Sequence, residues 1–463
     1  LKQQSKLCVI GGGGVRTPFV AKTIATQARE AGITDVVLLD NDPSKLAKYG
    51  QLAKEIAFRI NPDLNVSMTQ DPESALLDCD YIITTVRVGG DASRLLDEQI
   101  VEEYDLLTQE TTGACGFAMA MRSIPVLIEY CEVAKRVAKP DHLIFNFTNP
   151  AGLVTQALNS LGYPVFGICD SPTELIKQIT AMLNVKESSF SCNSFGLNHL
   201  TWFDDFRVEG KDVTQEVINH QELFSKTEMR IFDRDILTFS ENYLLNEYLY
   251  FYYYNKKAIR LGGKSEFSRA ELIKDVNIKM NNELEQVDIK NDFDKAIQIF
   301  FDNYNVRENN YLKTESGVDR VKKYETPTAA EFISRADEGG YAGVALNLIS
   351  AINGAQKVEM VLSVPNNGAI QELNSDDVVE IMCSIDEGII TPRKQKSIPT
   401  AILNLILTVK EYERLAVKAI LNRDLDTAVK ALTVNPLVAN HDIAKELVSK
   451  FVAAYGDFGG TWK

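Results

Sequence analysis

Short apolar runs alternate with stretches of helical spacing through roughly the first 190 residues. Residues 6–10 form an apolar run that ends in four consecutive glycines, 11–14. Thr17 to Ala31 repeats apolar residues at helical spacing (Phe19, Val20, Ile24, Ala28), and Gly32 follows as a stop. Residues 35–40 read as a second buried strand, Pro43 opens a helix through Ile60, and 66–68 and 81–86 read as the next strands. A helix over 117–138, a strand over 143–147, a helix over 151–161 and a strand over 165–168 continue the alternation. Strands and helices at this spacing predict a parallel sheet covered on both faces.

The pattern changes after residue 190. Residues 191–197 and 201–208 read as neighbouring antiparallel strands. Helices are predicted over 241–259, 268–284 and 292–304, strands over 358–364 and 378–382, and helices again over 399–421, 425–432 and 441–454. The charge-rich stretch 281–294 is the best sequence candidate for a mobile segment. The expected division is a dinucleotide-binding domain over 1–190 and a helix-rich α+β domain over 191–463.

Composition narrows the function classes. The 463 residues carry 49 Lys+Arg against 64 Asp+Glu, a formal charge of -15. That balance argues against a nucleic-acid partner, which would need a basic face. No run of about 18 uncharged apolar residues occurs, so no membrane span is expected. The polar start does not read as a secretion signal. The seven scattered cysteines form no CxxC pair, which suits a reducing, cytoplasmic setting. The four histidines, His142, His199, His220 and His441, are too few for a multi-histidine metal cage.

The glycine run lies directly between a strand and a helix. There Gly11 permits the tight turn and Gly13 permits close approach of a pyrophosphate to the helix N-terminus. Asp40 ends the second strand, where an acid holds the adenosine ribose of NAD and disfavours the 2′-phosphate of NADP. The third glycine of the usual pattern is replaced by Arg16, which faces either phosphate or solvent. Polar clusters follow at strand ends, where open α/β sheets bind ligands: 86–94, 109–113, 146–152 and 167–170, with 196–200 beyond them. The aromatic run 247–254 cannot bury every ring on one helix, so some phenols face a cleft or a partner.

In order, these segments read GGGGVRTP, VRVGG, QETTG, NFTNPAG, GICDSP, GLNHL, YLYFYYY, SRAE and VPNNGAI. The chain resembles glycoside hydrolase family 4 from residue 9 to about 437. These are NAD- and divalent-metal-dependent glycosidases of the lactate/malate dehydrogenase-like superfamily, with a Rossmann-type sheet. The resemblance implies that Cys169 and His199 hold a metal, normally Mn2+. It implies Tyr248 as the base, Asp170 as a candidate acid, and Glu110 as a carboxylate that raises the basicity of the tyrosine. It places Arg94, Asn149 and Arg269 at the substrate, with Arg269 on a sugar 6-phosphate. It also implies chemistry by redox: NAD+ oxidises C3, the C2 proton becomes acidic, the aglycone is eliminated, and water and hydride then return. The family exemplifies glycosidases outside the two-carboxylate rule. The expected substrate is a phosphorylated disaccharide or glycoside, and the expected assembly a homodimer or homotetramer. Asp170 leans towards 6-phospho-α-glucosides, whereas the Arg16 turn and the tyrosine segment lean towards 6-phospho-β-glucosides, the reading preferred here. Rival readings are an unphosphorylated α-glycosidase, a hydroxy-acid dehydrogenase and a non-catalytic NAD-linked sugar-phosphate sensor.

Overall fold

In the computed structural model, residues 4–463 are described except 266, 321–322, 355–356, 457 and 459. Six parallel strands form the middle and one edge of a nine-stranded sheet. From that edge inward they run Asn65–Thr69, Ile33–Leu39, Ser5–Ile10, Tyr81–Thr84, Leu143–Asn146 and Val165–Gly167. The central strands are buried on both faces: Leu7 to Val9, Leu38, Ile83 and Phe145 are fully enclosed. This is why they read as continuous apolar runs rather than alternating ones. Strand order reverses between Ser5–Ile10 and Tyr81–Thr84, and the crevice at such a switch point is where a doubly wound sheet takes its ligand.

Residues of the second half complete this sheet. Val358–Pro365, Val378–Asp386 and Ile389–Pro392 add antiparallel to its other edge, through the pair Ser363 and Gly167. The pair is close: a side chain at Gly167 would start 2.5 Å from the Ser363 Cβ. Helix Gly340–Asn353 also packs against the first helix, Thr17–Ala31. A second, four-stranded sheet holds Phe190–Leu197, Leu200–Val208, Lys211–Asp212 and Leu244–Leu245. The antiparallel pairing expected for 191–208 is present, and its tight turn carries His199.

Local chemistry sets the element ends. Asp42 caps the next helix by accepting from the Ser44 and Lys45 amides, with Pro43 in its first turn. Ser268 and Glu271 form a reciprocal capping box on helix Arg269–Glu285, worth about 1 kcal/mol. The helix expected over 241–259 does not form. Leu244–Leu245 pairs as a strand with Phe203 and Trp202, Glu247–Leu249 is a 3-10 turn, and Tyr250–Tyr253 and Asn255–Gly262 are separate short helices. Asn246 causes the break: its Oδ1 accepts from the Tyr248 amide and its Nδ2 donates to Ser171. Local capping wins over helix continuation there.

The charged stretch 281–294 is a packed turn between helices Arg269–Glu285 and Phe293–Asn309, anchored by buried Leu284, Ile289 and Phe293. Helix Gly113–Val137 is, among the described residues, the one long and apolar enough to cross a membrane. Most of it is buried in the core, which accounts for its all-round apolar surface.

Candidate active site

A single cavity of about 860 Å³ runs from the glycine turn to the tyrosine segment. It lies at the C-terminal ends of the parallel strands, and its volume suits a cofactor together with a small substrate.

At one end, Gly11 has φ +97°, and a side chain there would meet the Thr85 carbonyl oxygen at 2.5 Å. The Gly13 amide donates to Asp40 Oδ2 at 2.9 Å, and the Asp42 amide donates to Oδ1 at 3.0 Å. The acid at the end of the second strand is thus fixed beside the turn. Arg16 neither faces solvent alone nor packs as a glycine would. It forms an ion pair with Asp170 at 3.3 Å, with its guanidinium 5.7 Å from the Phe147 ring. The cofactor turn and the residue after Cys169 are therefore in direct contact.

At the other end, Tyr248 and His199 stack face to face, centroids 3.8 Å apart and planes within 3°. Burial pushes the Tyr248 phenol far above its ordinary value, and the carboxylates of Glu247 and Glu110 and the Cys169 sulfur push the same way. Tyr311 comes within 3.5 Å of the Tyr248 hydroxyl and donates to Glu247 at 3.3 Å. Glu247 also accepts from the Ser171 hydroxyl at 2.8 Å, and burial, followed by Glu228, lifts its carboxyl to about 7. Nothing in the sequence reading singled out Glu247. Its signal was a lone acid at the head of an aromatic run.

Cys169 and His199 are both buried, and both neighbour Tyr248. Burial lowers the His199 imidazole to about 4, so the ring is neutral, as a metal ligand must be. Burial raises the Cys169 thiol, with Glu380 and Asp170 adding to the effect; a cation beside the sulfur would reverse this. No group of three or more His, Cys, Asp or Glu ligands occurs among the described residues. His199 lines the cavity, as do Asp170 and Ser171, which follow Cys169 in the chain, and a Cys and His donor set suits an ion whose shell is completed by substrate oxygens or water.

A third group is cationic. Arg94 pairs with Glu98 and Glu110, each at 3.1 Å, and Arg87 also binds Glu110. Although burial works against it, these arginines hold the Glu110 carboxyl far below the usual range. Glu98 accepts from the Ala270 amide at 3.1 Å, tying Arg94 to the helix start that carries Arg269. Arg269 donates from Nη2 to the Arg307 carbonyl at 3.0 Å, but its buried Nη1 has no partner and no ion pair forms among the described residues. Burial, then Arg94, lowers its pKa, the mark of a cation short of a counter-charge. Arg307 and Arg320 also line the cavity; they were missed because they lie far away in the sequence. Asn149 lines the same space, its Oδ1 accepting from the Ala151 amide at 3.3 Å.

Comparison with known proteins identifies the family. The model of family 4 glycosyl hydrolases matches residues 6–185, and that of the family 4 glycosyl hydrolase C-terminal domain matches residues 194–438. The chain is 28% identical to the 6-phospho-beta-glucosidase BglT of Thermotoga maritima over 459 residues, covering 98% of this chain and 99% of the relative. It is 27% identical to the phospho-alpha-glucosidase PagL of Clostridium acetobutylicum over 467 residues, covering 97% of each. A Thermotoga maritima 6-phospho-beta glucosidase structure with manganese, NAD+ and glucose-6-phosphate superposes with a TM-score of 0.78 at 27% identity, covering 98% of this chain and 99% of the other. The lactate dehydrogenase of Eimeria maxima shares the fold alone, at 12% identity and a TM-score of 0.51. The chain belongs to family 4 of the glycosyl hydrolases.

Proposed function

We propose that the chain hydrolyses 6-phospho-β-glucosides with NAD and Mn2+ as cofactors, acting as a homodimer or homotetramer. The carrying observation is the buried, unpartnered Arg269 Nη1 in the same cavity as the Tyr248–His199 stack and the Asp40 turn. A guanidinium short of a counter-charge suits a phosphate monoester. Gly11, Gly13, Arg16 and Asp40 would hold NAD, and Cys169 and His199 the metal. When bound, these cofactors supply hydride exchange at sugar C3 and polarisation of the C2 and C3 oxygens.

The remaining work belongs to side chains. Tyr248 accepts the C2 proton, and a nearby positive charge is needed to lower its proton affinity. Glu110 acts from a distance, its charge held by Arg87 and Arg94. Asp170 protonates the departing oxygen; its carboxylate, paired with Arg16, must first take up a proton from solvent, which the ion pair opposes. Arg94 and Asn149 position the sugar hydroxyls. Elimination rather than displacement at C1 explains why no pair of carboxylates flanking one bond is required.

A panel of p-nitrophenyl α- and β-glucosides, with and without a 6-phosphate, tests this in NAD+, Mn2+ and a reductant. Turnover of the 6-phospho-β compound without net NADH is the expected result. Preferential turnover of the 6-phospho-α compound would transfer the reading to the anomer that Asp170 favours. Stoichiometric NADH would mean a dehydrogenase, and binding without turnover a sensor.

A further inference from the structure

The QETTG segment contributes more than Glu110. The Gln109 side-chain oxygen accepts from the backbone amides of Thr111 at 2.7 Å and Thr112 at 2.9 Å. Backbone N–H groups can only donate, so this atom is the carbonyl oxygen and the amide orientation is fixed. The Thr111 hydroxyl lies 2.9 Å from the same oxygen. That oxygen can only accept, so in this contact the Thr111 hydroxyl donates its one hydrogen; the Thr112 hydroxyl reaches the same oxygen at 3.0 Å. The Thr111 hydroxyl is also 3.2 Å from Nδ1 of His199. Its hydrogen being committed, it meets that nitrogen as an acceptor. Nδ1 must then carry the imidazole proton, and Nε2 keeps its lone pair. Among the described residues Nε2 has no hydrogen-bond partner.

We infer that Gln109 and Thr111 are positioning residues that fix His199 in its Nδ1–H tautomer and so reserve Nε2 for a metal ion. This deepens, and rests on, the metal-ligand reading of His199 given above. Backbone shape adds to it: His199 sits at φ +62° at the tip of a two-stranded turn, so its ring direction is set by the turn, and the hydrogen-bond chain sets only the proton. The opposite tautomer would place a hydrogen where the ion must sit.

Long-range 1H–15N correlation spectra of the metal-free full chain, labelled at its four histidines, read the tautomer directly. His199→Gln assigns the signal. In the unaltered protein the expected form is Nδ1–H. Thr111→Val removes the acceptor, and is expected to shift His199 towards Nε2–H and to weaken Mn2+ binding about 10- to 100-fold by calorimetry. Thr111→Ser, which retains the hydroxyl, is expected to restore both. Thr111→Ala gives the same readout if the valine variant folds poorly. An Nε2–H signal in the unaltered chain overturns the inference, as does full Mn2+ affinity in Thr111→Val when His199→Gln has lost it. Undiminished Mn2+ binding by His199→Gln would sink the ligand reading instead, and the tautomer signal then judges the hydrogen-bond chain alone.

Discussion

Tyr248 illustrates how an environment can hold a group in the wrong state until a partner arrives. Its phenol is half-buried, stacked on a neutral ring and flanked by the acidic groups Glu247 and Glu110, so its proton is retained. Only added positive charge makes it a base. Tyr248→Phe is therefore expected to slow turnover by about 10²- to 10⁴-fold and to abolish exchange of the C2 proton with deuterated solvent. Exchange that persists would pass the role to another tyrosine of the segment. Arg269→Ala removes the unpartnered cation, and loss of one charge-assisted contact costs about 1.5–3 kcal/mol. Turnover of a phosphorylated glycoside should thus fall about 10- to 100-fold, while the plain glycoside is unchanged. An equal loss on both would remove the phosphate from the account.

Elements matter because they aim these residues. Glu380, on Val378–Asp386, accepts from Asn198 at 2.9 Å and from Thr201 at 2.7 Å, and so grips both sides of the turn that presents His199. Burial raises its carboxyl to about 7. Its folded pKa thus exceeds the unfolded value, so its contribution is fully present below the unfolded pKa and is lost as pH rises through 7. Relative to the unaltered chain, Glu380→Gln should gain thermal stability between about pH 5 and pH 8, by on the order of 2–3 kcal/mol. A stability difference that does not change with pH would refute this. Gly13→Ala tests the other end: the new carbon would sit 2.8 Å from the Lys45 Cβ and 2.9 Å from Asp40 Oδ2. NAD+ affinity is expected to fall at least about tenfold, measured by fluorescence quenching.

Most of the parallel sheet was legible because its strands are buried on both faces and its glycine turn has one physical use. The helix over 241–259 was misread because aromatic spacing outweighed Asn246, whose side-chain bonds to Tyr248 and Ser171 are invisible to periodicity. Cys169, His199 and Tyr248 are singled out by motif order, not by any local rule. Glu380 carried a readable mark, a lone acid within an apolar strand, but its partner turn lies far off in the sequence.

Over the whole molecule, the two halves share one sheet. The residue 190 boundary separates topologies, yet Val358–Pro365 covers the edge strand Val165–Gly167. A fragment of residues 1–190 would leave that edge open. It is expected to lack a cooperative melting transition and to bind NAD+ weakly or not at all, whereas the full chain melts in one step; calorimetry on both distinguishes the cases.

The same covering strand bears on synthesis. Gly167 leaves the ribosome on the order of 200 residues before Ser363, its partner across the sheet. At translation rates of ~5–20 residues per second, a nascent chain waits roughly 10–40 s with that border unprotected. The half-built protein is thus an aggregation hazard in a crowded cell, and a natural client for chaperones that act during elongation.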